Sequence, residues 1–236
     1  MGAPNILLGT STPSLYLEKV ASRYGLTLHM NSRRSNIASD WNFVMQASDA
    51  HFLTVAHQDD VYDAEYLAAM AKLANTHPDF VLAFSDYREH TNAGTRDETI
   101  NLKIKRLLRE RAFQGSPSIS SVREKRRLLS LGNPICCPSV MLNRSAAPHF
   151  VFSESLKSNL DWDAWLRLAD QPGDYLYCRE KLISKRVHPQ SETSVTIASR
   201  VRQNEDRRMF ERFWPAPVAM MLSTVYSLGY VANKVF

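Results

Sequence analysis

The sequence predicts an α/β fold in which a mixed, mostly parallel sheet is flanked by helices and followed by C-terminal helices. Short apolar runs alternate with amphipathic stretches about four times near the start of the chain, a pattern typical of parallel strands joined by helices. An apolar content of 44% and a charged content of 22% are those of a folded soluble domain, and 236 residues suffice for a full core.

In the first part of the chain, apolar runs bounded by turn residues predict the strands, and apolar residues at helical spacing predict the helices. In order, we expect a strand over 6–8, a helix over 15–24, a strand over 26–30, a helix capped by Ser39, a strand over 52–56, a helix over 66–74 and a strand over 80–84. Ligands of such sheets bind where the strands end, so the site is expected after the last two of these strands.

The second part of the chain is less regular. In order, we expect a basic helix over 102–113, a loop over 114–121, a second basic helix, a strand over 139–142, a helix from Leu160, strands over 175–178 and 182–187, and two closing helices. Residues 1–213 are expected to form one domain, and residues 214–236 an added apolar helix. Positions 215–233 carry no charge, but hydroxyl residues and prolines dilute the run, which favours a core or interfacial helix over a membrane span.

Much of the net charge of +5 lies in a basic segment between Lys103 and Arg127. Such a segment binds nucleic acid, anionic lipid or a phosphorylated acceptor, or is simply a solvated helix face. Aromatic residues are sparse within it, so we expect no nucleic-acid partner. Cys136, Cys137 and Cys178 lack zinc-site spacing and the chain start lacks a signal-peptide pattern, which together favour a reduced, cytoplasmic protein.

Two adjacent carboxylates, Asp59 and Asp60, directly follow the strand predicted over 52–56, in the stretch His57-Gln58-Asp59-Asp60. Two adjacent carboxylates repel each other unless they bind a common cation. Their oxygens suit Mg²⁺ or Mn²⁺, and either ion would also bridge a diphosphate. The plainer interpretation is that Asp59 caps the following helix and Asp60 is solvated. Taken alone, the pair favours the plainer interpretation.

Two further groups lie later in the chain. Asp161 and Asp163 open a helix beside Trp162, where a carboxylate either acts as a general base near apolar rings or simply caps the helix. Arg186-Val187-His188 precedes hydroxyl side chains at 191, 193 and 194, a combination that suits a phosphate or a metal, although a plain surface histidine is commoner.

In this order, the three groups resemble family 2 of the GT-A glycosyltransferases, bacterial enzymes that build cell-surface polysaccharides. The matching segments are 31–42, 52–63, 84–87, 133–144, 160–169 and 186–193. The resemblance implies a Rossmann-like fold for nucleotide-diphospho-sugar transfer. It also implies a nucleotide-sugar donor, a saccharide or lipid-linked acceptor, and inversion of the sugar's anomeric centre by a single displacement.

The resemblance also assigns roles to residues. It implies a divalent metal, Mg²⁺ or Mn²⁺, held by Asp59, Asp60 and His188. It makes Asp161 the base that deprotonates the acceptor hydroxyl, with Asp163 as its companion. The residues implied to bind the donor are Trp41, Asn42, Asp59, Ser85, Asp86 and His188, and those on the acceptor side are Pro138, Ser139 and Trp162.

The sequence also departs from the family pattern. Members normally begin with a strand and a Pro-x-Tyr-Asn-like loop that holds the nucleotide base, and this β-α unit has no counterpart here. Gly9 stands where an Asp contacts the nucleoside, and His57 where many members have another Asp. The expected protein is therefore a transferase, either free in the cytoplasm or peripheral on the cytoplasmic face of the inner membrane. The alternative is a degenerate member that acts as a binding or interaction module.

Overall fold

The computed structural model describes residues 5–32, 36–188, 196–197 and 199–232, so the hydroxyl residues predicted at 191, 193 and 194 lie outside it. The described helices are α1 Leu15–Tyr24, α2 Ile37–Gln46, α3 Tyr66–Thr76, α4 Ile100–Phe113, α5 Val122–Leu129, α6 Leu160–Ala169, α7 Val201–Glu211 and α8 Ala216–Ala232. The described strands are β1 Leu7–Thr10, β2 Thr27–Met30, β3 Phe52–Leu53, β4 Val61–Tyr62, β5 Phe80–Thr91, β6 Gly94–Arg96, β7 Ser118–Ile119, β8 Val140–Asn143 and β9 Asp174–Arg186.

The described strands form two sheets. β1 and β2 pair in parallel as a small sheet of their own. The larger sheet has the order β3-β8-β5-β9-β4, with β6 beside β5 and β7 beside β9. Its central pair, β5 and β9, is parallel, while the other pairs are antiparallel. The sheet is mixed, as predicted. It has fewer parallel strand pairs than the sequence pattern indicates, because short antiparallel strands flank the central pair.

Several predicted elements have different bounds in the structure. β3 ends at Leu53 rather than Ala56, because it pairs only with β8 and only over two residues. β5 extends to Thr91, and the two strands predicted over 175–187 are a single strand, β9, since β5 and β9 support each other along most of their length. α2 begins earlier than predicted, because Asn36 rather than Ser39 caps it.

Two apolar cores pack against the larger sheet. Trp162 and Trp165 of α6 are fully buried in one, together with side chains of α2, α5 and α7. Tyr66 and Met70 of α3 are buried in the other. β5 contributes to both cores, which explains why its first five residues, 80–84, are all apolar. The central strands are therefore held rigidly, and the loops at their ends can be positioned accurately.

The C-terminal helix α8 is docked on the rest of the chain by its tyrosines. Tyr226 packs against Trp162 and Phe210, and Gly132 permits this approach because a Cβ there would lie 2.6 Å from the Tyr226 ring. Among the described residues, no helix combines the length and apolarity that a membrane span requires. A division of the chain at residue 213 stays a prediction.

Candidate active site

A large cavity of about 2940 Å³ opens where β1, β3, β5 and β9 end. This is the edge of an α/β sheet where ligands are expected. The predicted site residues that line it are Trp41, Asp59, Asp60, Pro138, Asp161 and His188. The fold therefore brings the two acidic groups and the late histidine, which are far apart in sequence, to one cavity.

The side chain of Asp60 is buried in the loop between β3 and β4, where only 2% of it is exposed. Its Oδ1 accepts the backbone N–H of Arg186 at 2.8 Å, because β4 pairs with the end of β9. Burial raises the pKa of Asp60 to about 6, and the hydrogen bond from Arg186 only partly offsets this. A buried carboxylate of this kind is stabilised by a cation.

His57 lies beside Asp60, with its Nδ1 3.5 Å from Asp60 Oδ2. Its ring stacks on Trp41 of α2, with centroids 5.0 Å apart. Burial lowers the pKa of His57 to about 4, and Lys185 lowers it further, so the ring is neutral at pH 7. A neutral imidazole has a nitrogen lone pair available, as metal ligation requires.

His57, Asp59 and Asp60 fit a divalent cation. Each offers a ligand atom, and these atoms lie within 4.8 Å of one another. Among the described residues, the buried atoms His57 Nε2 and Asp60 Oδ2 have no hydrogen-bond partner. His188 is also predicted to be a metal ligand. Its Nε2 lies 3.1 Å from Asp59 Oδ2, so it contacts the cluster of His57, Asp59 and Asp60 through Asp59. The sequence interpretation treated His57 only as a replacement for an acid, and the structure places it in the cluster itself.

Asp161 lies at the first turn of α6, and its carboxylate is fixed by two hydrogen bonds. Asn133 Nδ2 donates to Oδ2 at 2.9 Å, and the N–H of Trp162 donates to Oδ1 at 2.8 Å. Lys185 of β9 also lines the cavity. Burial opposes the charge of Lys185, but Cys136, Asp60 and Asp161 raise its pKa, so this ammonium links the two acidic groups electrostatically. Sequence reasoning missed Lys185 and Asn133, although each lies beside or within a matching segment.

The start of α6 is held by Glu205 of α7. Its buried carboxylate accepts the backbone N–H groups of Lys157, Ser158 and Asn159 at 2.8, 2.9 and 2.9 Å. The Asn159 side chain donates in turn to Asp206 at 2.9 Å. Through these contacts, α7 fixes the loop from which the helix carrying Asp161 begins.

We expect Glu205→Gln to lower the free energy of unfolding by about 1–3 kcal/mol, because an amide donor would face backbone donors. Urea denaturation followed by circular dichroism measures this. Glu154→Gln is the matched control, since Glu154 lies in the same region and is exposed. Equal unfolding midpoints for the two variants would contradict the role given to Glu205.

Asp86, predicted to bind the donor, is buried in an ion pair outside the cavity lining. Arg109 Nη2 donates to its Oδ1 at 2.6 Å, and Arg106 Nε lies 3.3 Å from its Oδ2. Arg109 also donates to Tyr177 and to the carbonyl of Pro134. These contacts tie α4 to the central strands, and the donor role of Asp86 stays a prediction.

Arg109→Met is expected to destabilise the protein by about 3–5 kcal/mol, because it leaves the buried Asp86 carboxylate without its main partner. Thermal or urea unfolding measures the change. Arg111→Met, on the exposed face of the same helix, is expected to change stability by no more than about 0.5 kcal/mol. If both variants unfold alike, the ion pair is not important for the fold.

The remaining predicted site residues make structural contacts and do not line the cavity. Asn42 exchanges hydrogen bonds with the backbone of Phe152 at 2.9 and 2.7 Å. Trp162 is buried. Asp163 forms ion pairs with Arg167 of α6 and with Arg212, which follows α7. Ser85 and Ser139 are buried and bond to backbone carbonyls. These residues lie outside the cavity lining, and their predicted roles stay predictions.

Gly9 lines the cavity at the end of β1. A Cβ at this position would lie 2.0 Å from Val44 Cγ2, so α2 packs directly against the strand backbone. The side chain that the family pattern places here has no room unless the Val44 side chain or α2 shifts. The site therefore differs from the family pattern on the side where the nucleoside is expected.

No family model and no curated protein matches the chain in sequence. Solved structures do match. The fragment 1–349 of S. aureus TarS superposes with a TM-score of 0.61 and 10% identity, over 97% of this chain and 63% of that fragment. The same fragment in complex with UDP-GlcNAc gives 0.56 and 11%, over 94% and 62% of the two chains.

The mannosyltransferase PcManGT from Pyrobaculum calidifontis, in complex with GDP-Man and Mn²⁺, superposes with a TM-score of 0.58 and 12% identity. The match covers 96% of this chain and 61% of that enzyme. The chain has the GT-A glycosyltransferase fold. It spans less than two thirds of the length of these neighbours.

Proposed function

We propose that this GT-A chain transfers a sugar from a nucleotide-diphosphate donor to a saccharide or lipid-linked acceptor, with inversion. The observation that carries the proposal is that one cavity is lined by Asp59 and Asp60, by Lys185 and by Asp161. A cation-binding acid pair and a separate, oriented carboxylate are the groups that such a displacement needs. The neighbours that bind UDP-GlcNAc or GDP-Man support a nucleotide-sugar as the donor.

In this proposal, Asp161 takes the proton of the acceptor hydroxyl, and its bonds to Asn133 and to the Trp162 N–H orient the carboxylate for that task. His57, Asp59 and Asp60 hold the metal, with His188 orienting Asp59. A bound Mg²⁺ or Mn²⁺ supplies charge that neutralises the leaving diphosphate. Lys185 and Arg202 line the same cavity and add positive charge toward the diphosphate.

The finer assignment rests on sequence. The order of the HQDD, LDWD and RVH segments supports membership of family 2, and with it a role in building surface polysaccharide at the cytoplasmic face of the membrane. The Mn²⁺ in PcManGT supports metal dependence.

Calorimetric titration of the purified chain with UDP and with GDP, each with and without Mn²⁺, tests the proposal. We expect one of the two to bind at least about tenfold more tightly with Mn²⁺ present. Labelled UDP- and GDP-sugars are then offered with a panel of saccharide and lipid-linked acceptors, and a labelled product is expected. Absence of any metal-dependent binding would overturn the proposal and favour the degenerate binding module, for which the tight packing at Gly9 is the structural argument.

A further inference from the structure

The mouth of the cavity carries a set of partly exposed apolar side chains from four parts of the fold. They line the cavity and are between 46% and 72% exposed, and we name them the apolar rim: Leu67, Ile100, Ile104, Leu131, Val225 and Leu228. Single exposed apolar residues are ordinary, but a set of them around one opening marks an interaction surface.

The outer face of α8 extends the apolar rim. Met220, Met221, Val225 and Leu228 are each more than half exposed, and the helix carries no charged residue. Its serine and threonine hydroxyls bond to the helix's own backbone: those of Ser223 and Thr224 donate to the Met220 carbonyl, and that of Ser227 donates to the Thr224 carbonyl. A helix whose polar side chains are satisfied by its own backbone presents a surface suited to lipid.

The outer face of α4 combines apolar and basic side chains. Ile100, Ile104 and Leu107 follow the i, i+4, i+7 spacing of one helix face, and each is more than half exposed. Lys103 and Arg111 are exposed on the same face. Among the described residues, Lys103 forms an ion pair only with the exposed Glu98, at 3.1 Å, and such a surface pair is weak. Basic residues among apolar ones are typical of helices that lie on anionic membranes.

We propose that the apolar rim and the outer faces of α4 and α8 seat the protein on the surface of an anionic lipid bilayer. The basic side chains of α4 select anionic headgroups, while the apolar side chains enter the boundary between headgroups and acyl chains. The described helices are too short or too polar to span, so the contact is interfacial. The cavity mouth then faces the headgroup layer, where a lipid-linked acceptor would present its sugar to Asp161.

This proposal concerns a surface and does not rest on the proposed transfer reaction, so the two can fail separately. The test is co-sedimentation of the full chain with vesicles, in the absence of nucleotide and metal. We expect binding to vesicles of phosphatidylcholine with about 30% phosphatidylglycerol, at least about tenfold weaker binding to phosphatidylcholine alone, and partial release at about 0.5 M salt.

A double variant, Ile104→Glu with Leu228→Glu, changes two exposed positions of the apolar rim, one on α4 and one on α8. It is expected to lower the partition onto anionic vesicles by about tenfold or more, because charged groups would enter the interface. Leu15→Glu is the matched control, since Leu15 is 74% exposed on α1 and does not line the cavity. Thermal melts of all three proteins show whether they remain folded.

Equal binding by wild type and the double variant, or no binding of wild type to anionic vesicles, would overturn the proposal. So would sedimentation velocity showing a dimer that the double variant converts to a monomer without any vesicle binding. In that case the apolar rim is an interface between two copies of the chain. Binding that is lost in the double variant and kept in Leu15→Glu supports the bilayer.

Discussion

Asp60→Asn is expected to remove the Mn²⁺ dependence of nucleotide-diphosphate binding, with a loss of about a hundredfold or more in metal affinity. Asp60 is the most buried carboxylate of the cluster, and its Oδ2 makes no hydrogen bond with any described residue. Loss of an outer partner of a metal ligand already costs about 10–100-fold in affinity, and loss of a ligand itself costs more. Titration of Mn²⁺ with the bound nucleotide diphosphate, by calorimetry or by electron paramagnetic resonance of free Mn²⁺, measures the effect.

The same substitution is not expected to unfold the protein. The pKa of Asp60 is raised by burial, so in the absence of metal its ionised form at pH 7 opposes folding. Asp60→Asn should therefore melt no lower than wild type when EDTA is present. Asp49→Asn is the control, because Asp49 is exposed and outside the cavity lining. Unchanged Mn²⁺ affinity in Asp60→Asn would remove the acid pair from the metal site.

Sequence patterns were sufficient to predict the part of the site that is local. A buried apolar run followed by Asp59 and Asp60 predicts carboxylates at the end of a strand, because short apolar runs bounded by polar residues are recognisable without a structure. The same holds for Asp161 at the start of an amphipathic helix. These residues meet because the loop after β3 and the start of α6 line the same cavity.

Partners from distant segments could not be predicted in this way. Asp86 ends a run of apolar residues just as Asp60 does, yet Arg109 of α4, far along the chain, pairs with it and keeps it from the cavity. Asn42 is likewise occupied by the backbone of Phe152. Neither partner has a fixed spacing from the residue it binds. The sequence identifies such polar residues as important, but packing decides whether they serve the site or the fold.

The length of a strand is likewise hard to predict from the sequence. The apolar run over 52–56 looks like a central strand, but only Phe52 and Leu53 are paired, and among the described strands only β8 lies beside β3. The residues that follow leave the sheet and line the cavity. Hydrophobic pattern reports that a segment is partly buried, and it does not report how many neighbours its backbone finds.

Asp161→Asn tests the chemical step itself. With a donor and acceptor that the wild-type protein uses, we expect the rate of transfer to fall by about 10²–10⁴-fold, the range typical of a lost general base. The amide keeps the shape of the carboxylate but does not take up the acceptor proton. Binding of nucleotide diphosphate with Mn²⁺ should stay close to wild type, because Asp161 is not among the metal-holding residues.

A lower rate with unchanged binding distinguishes Asp161 from Asp60, whose replacement is expected to remove the Mn²⁺-dependent binding of nucleotide diphosphate as well. Asp170→Asn is the control on the same helix, since Asp170 lies at its far end and pairs with Arg126 at the surface. Near-normal transfer by Asp161→Asn would exclude Asp161 as the base. The oriented carboxylate, held by Asn133 and by the first turn of α6, would then serve acceptor binding alone.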